Sequence, residues 1–121
     1  MREHLVPFTF YIQGQAAANG VVEFAAPCGL TIVGVSLCAE AFTGSPTGFN
    51  VDVQDDGADV ITAVAANTAG TSGSWHTPTF GGSETPVHVA AGSAVELDVN
   101  FAGGSSPTAD FTAIIWALLD A

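Results

Sequence analysis

Along Val95-Glu96-Leu97-Asp98-Val99-Asn100-Phe101 apolar and polar residues alternate without a break. A period of two belongs to an extended chain, so Val95, Leu97, Val99 and Phe101 are expected on a buried face and Glu96, Asp98 and Asn100 on a wet one. From Phe111 to Leu119 the alternation is lost, and both faces of an extended segment there would be apolar. Such a strand needs cover on both sides. A second sheet together with a neighbouring subunit would supply it, which points to an assembling β-sandwich.

The same reading runs along the rest of the chain. Val6, Phe8, Phe10 and Ile12 alternate with Pro7, Thr9 and Tyr11, which predicts a first strand rich in aromatic and β-branched residues. Gly14 and the segment 16–20 break it, and a short strand over 21–25 is closed by Pro27 and Gly29. Leu30 to Glu40 is apolar on both faces over much of its length and reads as a central strand, with Gly34 marking a bulge or a close approach. After the loop 43–48, Val51 and Val53 are expected to point inward. Asp56-Gly57 then supplies the dipeptide that a tight hairpin turn with positive φ favours, and the return strand is 60–65. Residues 67–82 are mostly Gly, Ser and Thr and read as a long loop with at most one short strand around Trp75. A short strand over 86–90, a turn at Ala91-Gly92 and the two strands described first complete the chain.

No segment keeps the i, i+3, i+4 spacing of an amphipathic helix for three turns. The class is all-β: an antiparallel β-sandwich, jelly-roll-like, of eight to nine short strands. With 121 residues and no linker or internal repeat, one domain over residues 1–121 is expected, with 1–7 as an N-terminal arm. A chain of this size buries roughly two-thirds of its unfolded surface, so neither metal nor disulfide is required.

Charge narrows the partners. Arg2 is the only Lys or Arg against twelve Asp and Glu, for a net charge of −11. A nucleic-acid binder neutralises phosphates with several cations, so neither nucleic acid nor an anionic membrane is expected as a partner. Self-repulsion also means that assembly must rest on apolar contact and backbone pairing, or on a partner that brings cations. The start of the chain lacks the long apolar run of a secretory signal, and folding in a cytoplasm is expected. Cys28 and Cys38, at the two ends of an extended segment, would lie roughly 30 Å apart at about 3.3 Å per residue, so free thiols are expected unless the chain turns back.

Residues 52–57 begin like a calcium loop, but the twelfth position is Ala63 where a bidentate Glu is needed, and the hairpin reading prevails. Asp55, Asp56 and Asp59 are left as a looser cation site. His4, His76 and His88 lack zinc-ligand spacing. There is no Gly-x-Ser-x-Gly elbow, no phosphate-cradling loop with its Lys, and no pair of carboxylates placed to face one pocket. Neither enzymatic activity nor a cofactor is expected. Trp75, His76 and Phe80, in a loop of small residues, are candidates for a recognition surface, the bland reading being a loop folded back to cap the sandwich. Phe8, Phe10, Ile114 and Trp116 are candidates for packing or for subunit and capsid contact, with the two roles undivided.

The opening Phe8-Thr9-Phe10-Tyr11-Ile12, the run from Ala26-Pro27-Cys28-Gly29 through Ser36, and Ala90-Ala91-Gly92-Ser93 leading into Val95–Val99 resemble strand-and-turn segments of tailed-bacteriophage virion proteins. The texture is most similar to small jelly-roll capsid decoration, or cement, proteins, and it extends over most of the domain. The resemblance implies a homotrimer on the exterior of a virion, made in the host cytoplasm. It would bind the major capsid protein where capsomers meet and stabilise the shell against packaged DNA. A carbohydrate- or receptor-binding module of a phage fibre or tail, using the loop around Trp75, is the alternative.

Overall fold

The computed structural model describes residues 5–66, 74–76 and 86–120. Among them are nine strands and no helix: β1 (Leu5–Gln15), β2 (Ala18–Ala25), β3 (Leu30–Thr43), β4 (Gly48–Asp55), β5 (Ala58–Ala66), β6 (Ser74–His76), β7 (Val87–Val89), β8 (Ala94–Ala102) and β9 (Thr108–Leu119). Every pairing is antiparallel. β4 pairs β5, β3 pairs β6 and β7, β2 pairs β8, and β1 pairs β9. The chain is therefore one long hairpin with its tip at Asp56-Gly57, where φ is +49° and +83° as a two-residue hairpin turn demands.

Two further pairings, β3 with β9 and β4 with β8, roll that hairpin into two sheets. One runs β1-β9-β3-β6 with β7 also on β3, and the other runs β2-β8-β4-β5. Because β7 lies against Leu30–Ile32 and β6 against Leu37–Ala39, the two short strands share one edge position. Each sheet thus has four strand positions, in the order of a jelly roll. The sandwich expected from the sequence is the fold, and β3 is the internal strand its two-sided hydrophobicity indicated. The pairing register shifts at Gly34, the residue read as a bulge.

The core lies between the sheets. Val51, Val53, Val95 and Leu97 face Val35, Leu37, Ile115 and Ala117, all at most 1 % exposed. Phe49 is the hub of one aromatic group, with Phe42, Phe101 and Phe111 at 5.1–5.7 Å between ring centroids. Phe24 anchors a second, with Phe8 and Phe10 at 5.0 and 5.7 Å. Both groups join strands of opposite sheets, the arrangement that fills a layer about 10 Å thick.

One expectation about β8 needs correction. Asp98 belongs to the alternating polar set, yet it is buried, at 4 % exposure. The cause is a bulge in β2, whose register shifts between Ala18 and Val22. There Gly20 adopts φ +63°, and its N–H donates to Asp98 Oδ1 at 2.7 Å. The carboxylate replaces the ladder partner that the bulge removed. The same device recurs across the β1–β2 turn: β1 shifts register between Ile12 and Gln15, and the Gly14 N–H donates to Asp110 Oδ1 at 2.7 Å.

Candidate functional site

The pleat sorts the residues left outside the core onto two unlike faces. On the outer face of the β2-β8-β4-β5 sheet, cross-strand neighbours are Glu23 with Glu96, Glu96 with Gln54, Gln54 with Asp59, Asp98 with Asp52, and Asn100 with Asn50. Asn100 Nδ2 donates to Asn50 Oδ1 at 3.1 Å and to Asp52 Oδ2 at 3.0 Å, and Gln54 Nε2 donates to Asp59 Oδ1 at 2.8 Å. Gln54 stands between Glu96 and Asp59, while Glu23 with Glu96 and Asp98 with Asp52 place carboxylates directly opposite one another. Among the described residues the face is acidic and carries no cation.

The outer face of the β1-β9-β3 sheet has the opposite character. Successive rows across β1, β9 and β3 are Leu5, Leu118 and Thr31; Pro7, Trp116 and Gly34; Thr9, Ile114 and Ser36; and Tyr11, Thr112 and Cys38. None of these residues is charged. Leu5 and Tyr11 are the exposed large hydrophobic side chains among the described residues, at 44 % and 55 %, while Ile114, Trp116 and Leu118 are half-buried. The Trp116 indole N–H donates to Ser36 Oγ at 2.9 Å, so the ring is held on the sheet with its one polar atom satisfied. Charges bound the strip at both ends. Glu40 pairs with Asp110 at one, and at the other His88 Nε2 lies 2.9 Å from Asp120 Oδ2.

This geometry divides the four packing and contact candidates. Ile114 and Trp116 lie on the outer strip; Phe8 and Phe10 point inward onto Phe24 and belong to the packing between sheets. The cover expected on both sides of β9 is therefore supplied on one side by the second sheet, while no described element packs on its other side. Of the recognition-loop candidates, Trp75 and His76 stand in β6, in register with Cys38 and Leu37, and Phe80 lies outside the described residues. Leu5 to Pro7, expected as part of an arm, pair with Leu118 to Trp116, and residues 1–4 lie outside the described residues.

The aspartates of the hairpin tip have separate tasks. Asp56 Oδ1 accepts from the Ala94 N–H at 2.8 Å, tying the tip to the start of β8, and Asp59 is held by Gln54. Asp55 keeps one buried carboxylate oxygen without a hydrogen-bond partner among the described residues. No group of three His, Cys, Asp or Glu side chains among the described residues is arranged to hold a metal ion. Cys28 and Cys38 are free thiols. Burial, and secondarily the charge of Glu40, pushes the Cys38 thiol above its ordinary pKa.

Sequence reasoning missed three features: the segregation of acids onto one outer face, the Trp116–Ser36 bond and the His88–Asp120 pair. The first was half visible, since β4 and β8 each alternate acid or amide with apolar residues; only their pairing shows that the polar sets are neighbours. The other two join positions 80 and 32 residues apart and have no local signal.

No family model matches the chain, and no curated protein matches it. Among solved structures, a chain of the cyanophage Pam1 capsid asymmetric unit superposes with a TM-score of 0.55 at 19 % identity, over 98 % of this chain and 86 % of that one. The two share a fold. The likeness takes in both sheets and extends nearly from end to end, and the matched chain is only slightly longer than this one.

Proposed function

We propose that this chain is a structural virion protein of a tailed bacteriophage: a capsid decoration, or cement, protein. In this reading it binds the exterior of the head at capsomer junctions as a homotrimer, contacts the major capsid protein and stabilises the shell. It acts without catalysis or cofactor and makes no use of nucleic acid or membrane. The observation that carries the reading is the jelly roll held in common with a capsid chain of nearly the same size, over almost the whole length. Charge supports it from a second direction. A net charge of −11 with one arginine suits a surface that must not adhere to DNA, and an acidic sheet face suits a partner that supplies cations.

The test is co-sedimentation of purified protein with phage heads lacking it, followed by image reconstruction of the decorated particles. Saturable binding with density at capsomer junctions, and heads that withstand heating better, is the expected outcome. Absence of binding, combined with glycan-induced quenching of tryptophan fluorescence that a Trp75→Ala variant loses, would replace decoration by the fibre or tail module.

A further inference from the structure

We infer that the uncharged outer face of the β1-β9-β3 sheet is where copies of this chain meet one another, its occupant being the same face of a second copy. The inference rests on the self-association in the decoration reading and adds the surface that makes it. Three observations carry it.

The first is the composition of the strip. Leu5, Pro7, Tyr11, Ile114, Trp116 and Leu118 are contiguous through strand pairing, and among the described residues charges occur only at its two ends. An apolar patch with a polar rim is the usual anatomy of an interface.

The second is polar satisfaction. Trp116 Nε1 is already bonded to Ser36 Oγ, and the Tyr11 hydroxyl accepts from Gln13 Nε2 at 3.3 Å. A partner that covered Trp116 would therefore leave no indole N–H newly unpaired, and the penalty for burying that ring is small.

The third is charge, and it selects the occupant. Two copies meeting through the acidic sheet would bring Glu23, Asp52, Asp59 and Glu96 against the same residues. Two copies meeting through the neutral strip place the acidic faces outermost, about three intersheet spacings of ~10 Å apart, beyond the ~8 Å Debye length at physiological salt. A cationic partner, conversely, gains nothing at a strip without acids and is drawn to the other face. The strip therefore fits a surface that is itself apolar and uncharged, and this chain supplies one. About a two-fold axis the strips stack face to face, and about a three-fold axis each strip would turn toward the axis with its acidic face pointing away from it.

The experiment is molar mass by light scattering across a concentration series, on the full chain and on two variants. Thr9→Asp/Tyr11→Asp puts uncompensated charge on exposed positions of the strip; Glu23→Gln/Glu96→Gln alters the acidic face. The full chain is expected to self-associate. The strip variant should raise its dissociation constant about a hundredfold with unchanged far-ultraviolet circular dichroism, and the acidic-face variant should associate as well as or better than the parent. A Trp75→Phe background gives an independent readout, because Trp116 emission should shift to the blue as concentration rises. A parent that stays monomeric throughout the series with constant Trp116 emission, or a strip variant that associates unchanged, overturns the inference. Binding to undecorated heads, run in parallel, keeps the two readings apart. Association through the strip without head binding would sink decoration alone. A monomer whose head binding is lost with Thr9→Asp/Tyr11→Asp would sink this inference alone.

Discussion

Replacing Asp98 by Ala sets two effects against each other. It removes a charge that stands opposite Asp52, a relief of at most about 1 kcal/mol for a cross-strand pair. It also strips the Gly20 N–H of its acceptor in a part-buried bulge, at about 1–3 kcal/mol. The second wins, so Asp98→Ala should lower the urea midpoint, whereas Asp98→Asn, which keeps an oxygen at Oδ1, should lie near the parent. If both variants match the parent, the bulge does not depend on that carboxylate. Cys38 offers a chemical test of its surroundings. Thiolate is the reactive form, and burial with Glu40 nearby disfavours it. Alkylation at pH 8, followed by mass spectrometry, should therefore modify Cys38 after Cys28, and Glu40→Gln should shorten the lag. Labelling of Cys38 first would contradict this placement.

Among elements, the loops at the end of the sandwich remote from the hairpin tip are braced against each other. The Gly44 carbonyl accepts from the Ser105 N–H at 2.9 Å, and Thr43 and Thr108 share a hydroxyl hydrogen bond at 2.6 Å. Gly44 has φ +75°, and a Cβ there would fall 2.4 Å from the Ser105 carbonyl oxygen. Gly57, at the hairpin tip, has φ +83° but open space around it. Gly57→Ala should thus cost only the left-handed strain, about 1–2 kcal/mol. Gly44→Ala adds a backbone clash that no rotamer relieves and should be the more destabilising of the two in thermal unfolding. The reverse order would mean that the loop between β8 and β9 gives way freely.

At the scale of the whole molecule, charge and topology set the behaviour. With −11 on 121 residues, repulsion opposes the compact state, and it is strongest when the Debye length is long. Raising ionic strength from about 0.01 M to 0.15 M shortens that length from ~30 to ~8 Å. The melting temperature should rise accordingly; a flat or falling value would mean that repulsion among the carboxylates does not limit stability. Topology acts on rate. Leu5 pairs with Leu118, and every pairing outside the β4–β5 hairpin closes a long loop, so folding should run in the millisecond-to-second range of β-rich domains.

What the chain determined alone were its strands, and the reason is that burial against one sheet has a period of two. Val95 to Phe101 and Val6 to Ile12 announced which side would be inside, Leu30 to Glu40 announced an internal strand, and Asp56-Gly57 announced the tip. These signals sit in adjacent residues. Which strands became neighbours was decided only in three dimensions, because pairing energy joins residues up to a whole chain length apart. That step gathered Glu23, Asp52, Asp59 and Glu96 on one face and set Phe8 and Phe10 against Phe24. It buried Asp98 under a bulge, and it left Ile114 and Trp116 on a neutral strip that no described element covers.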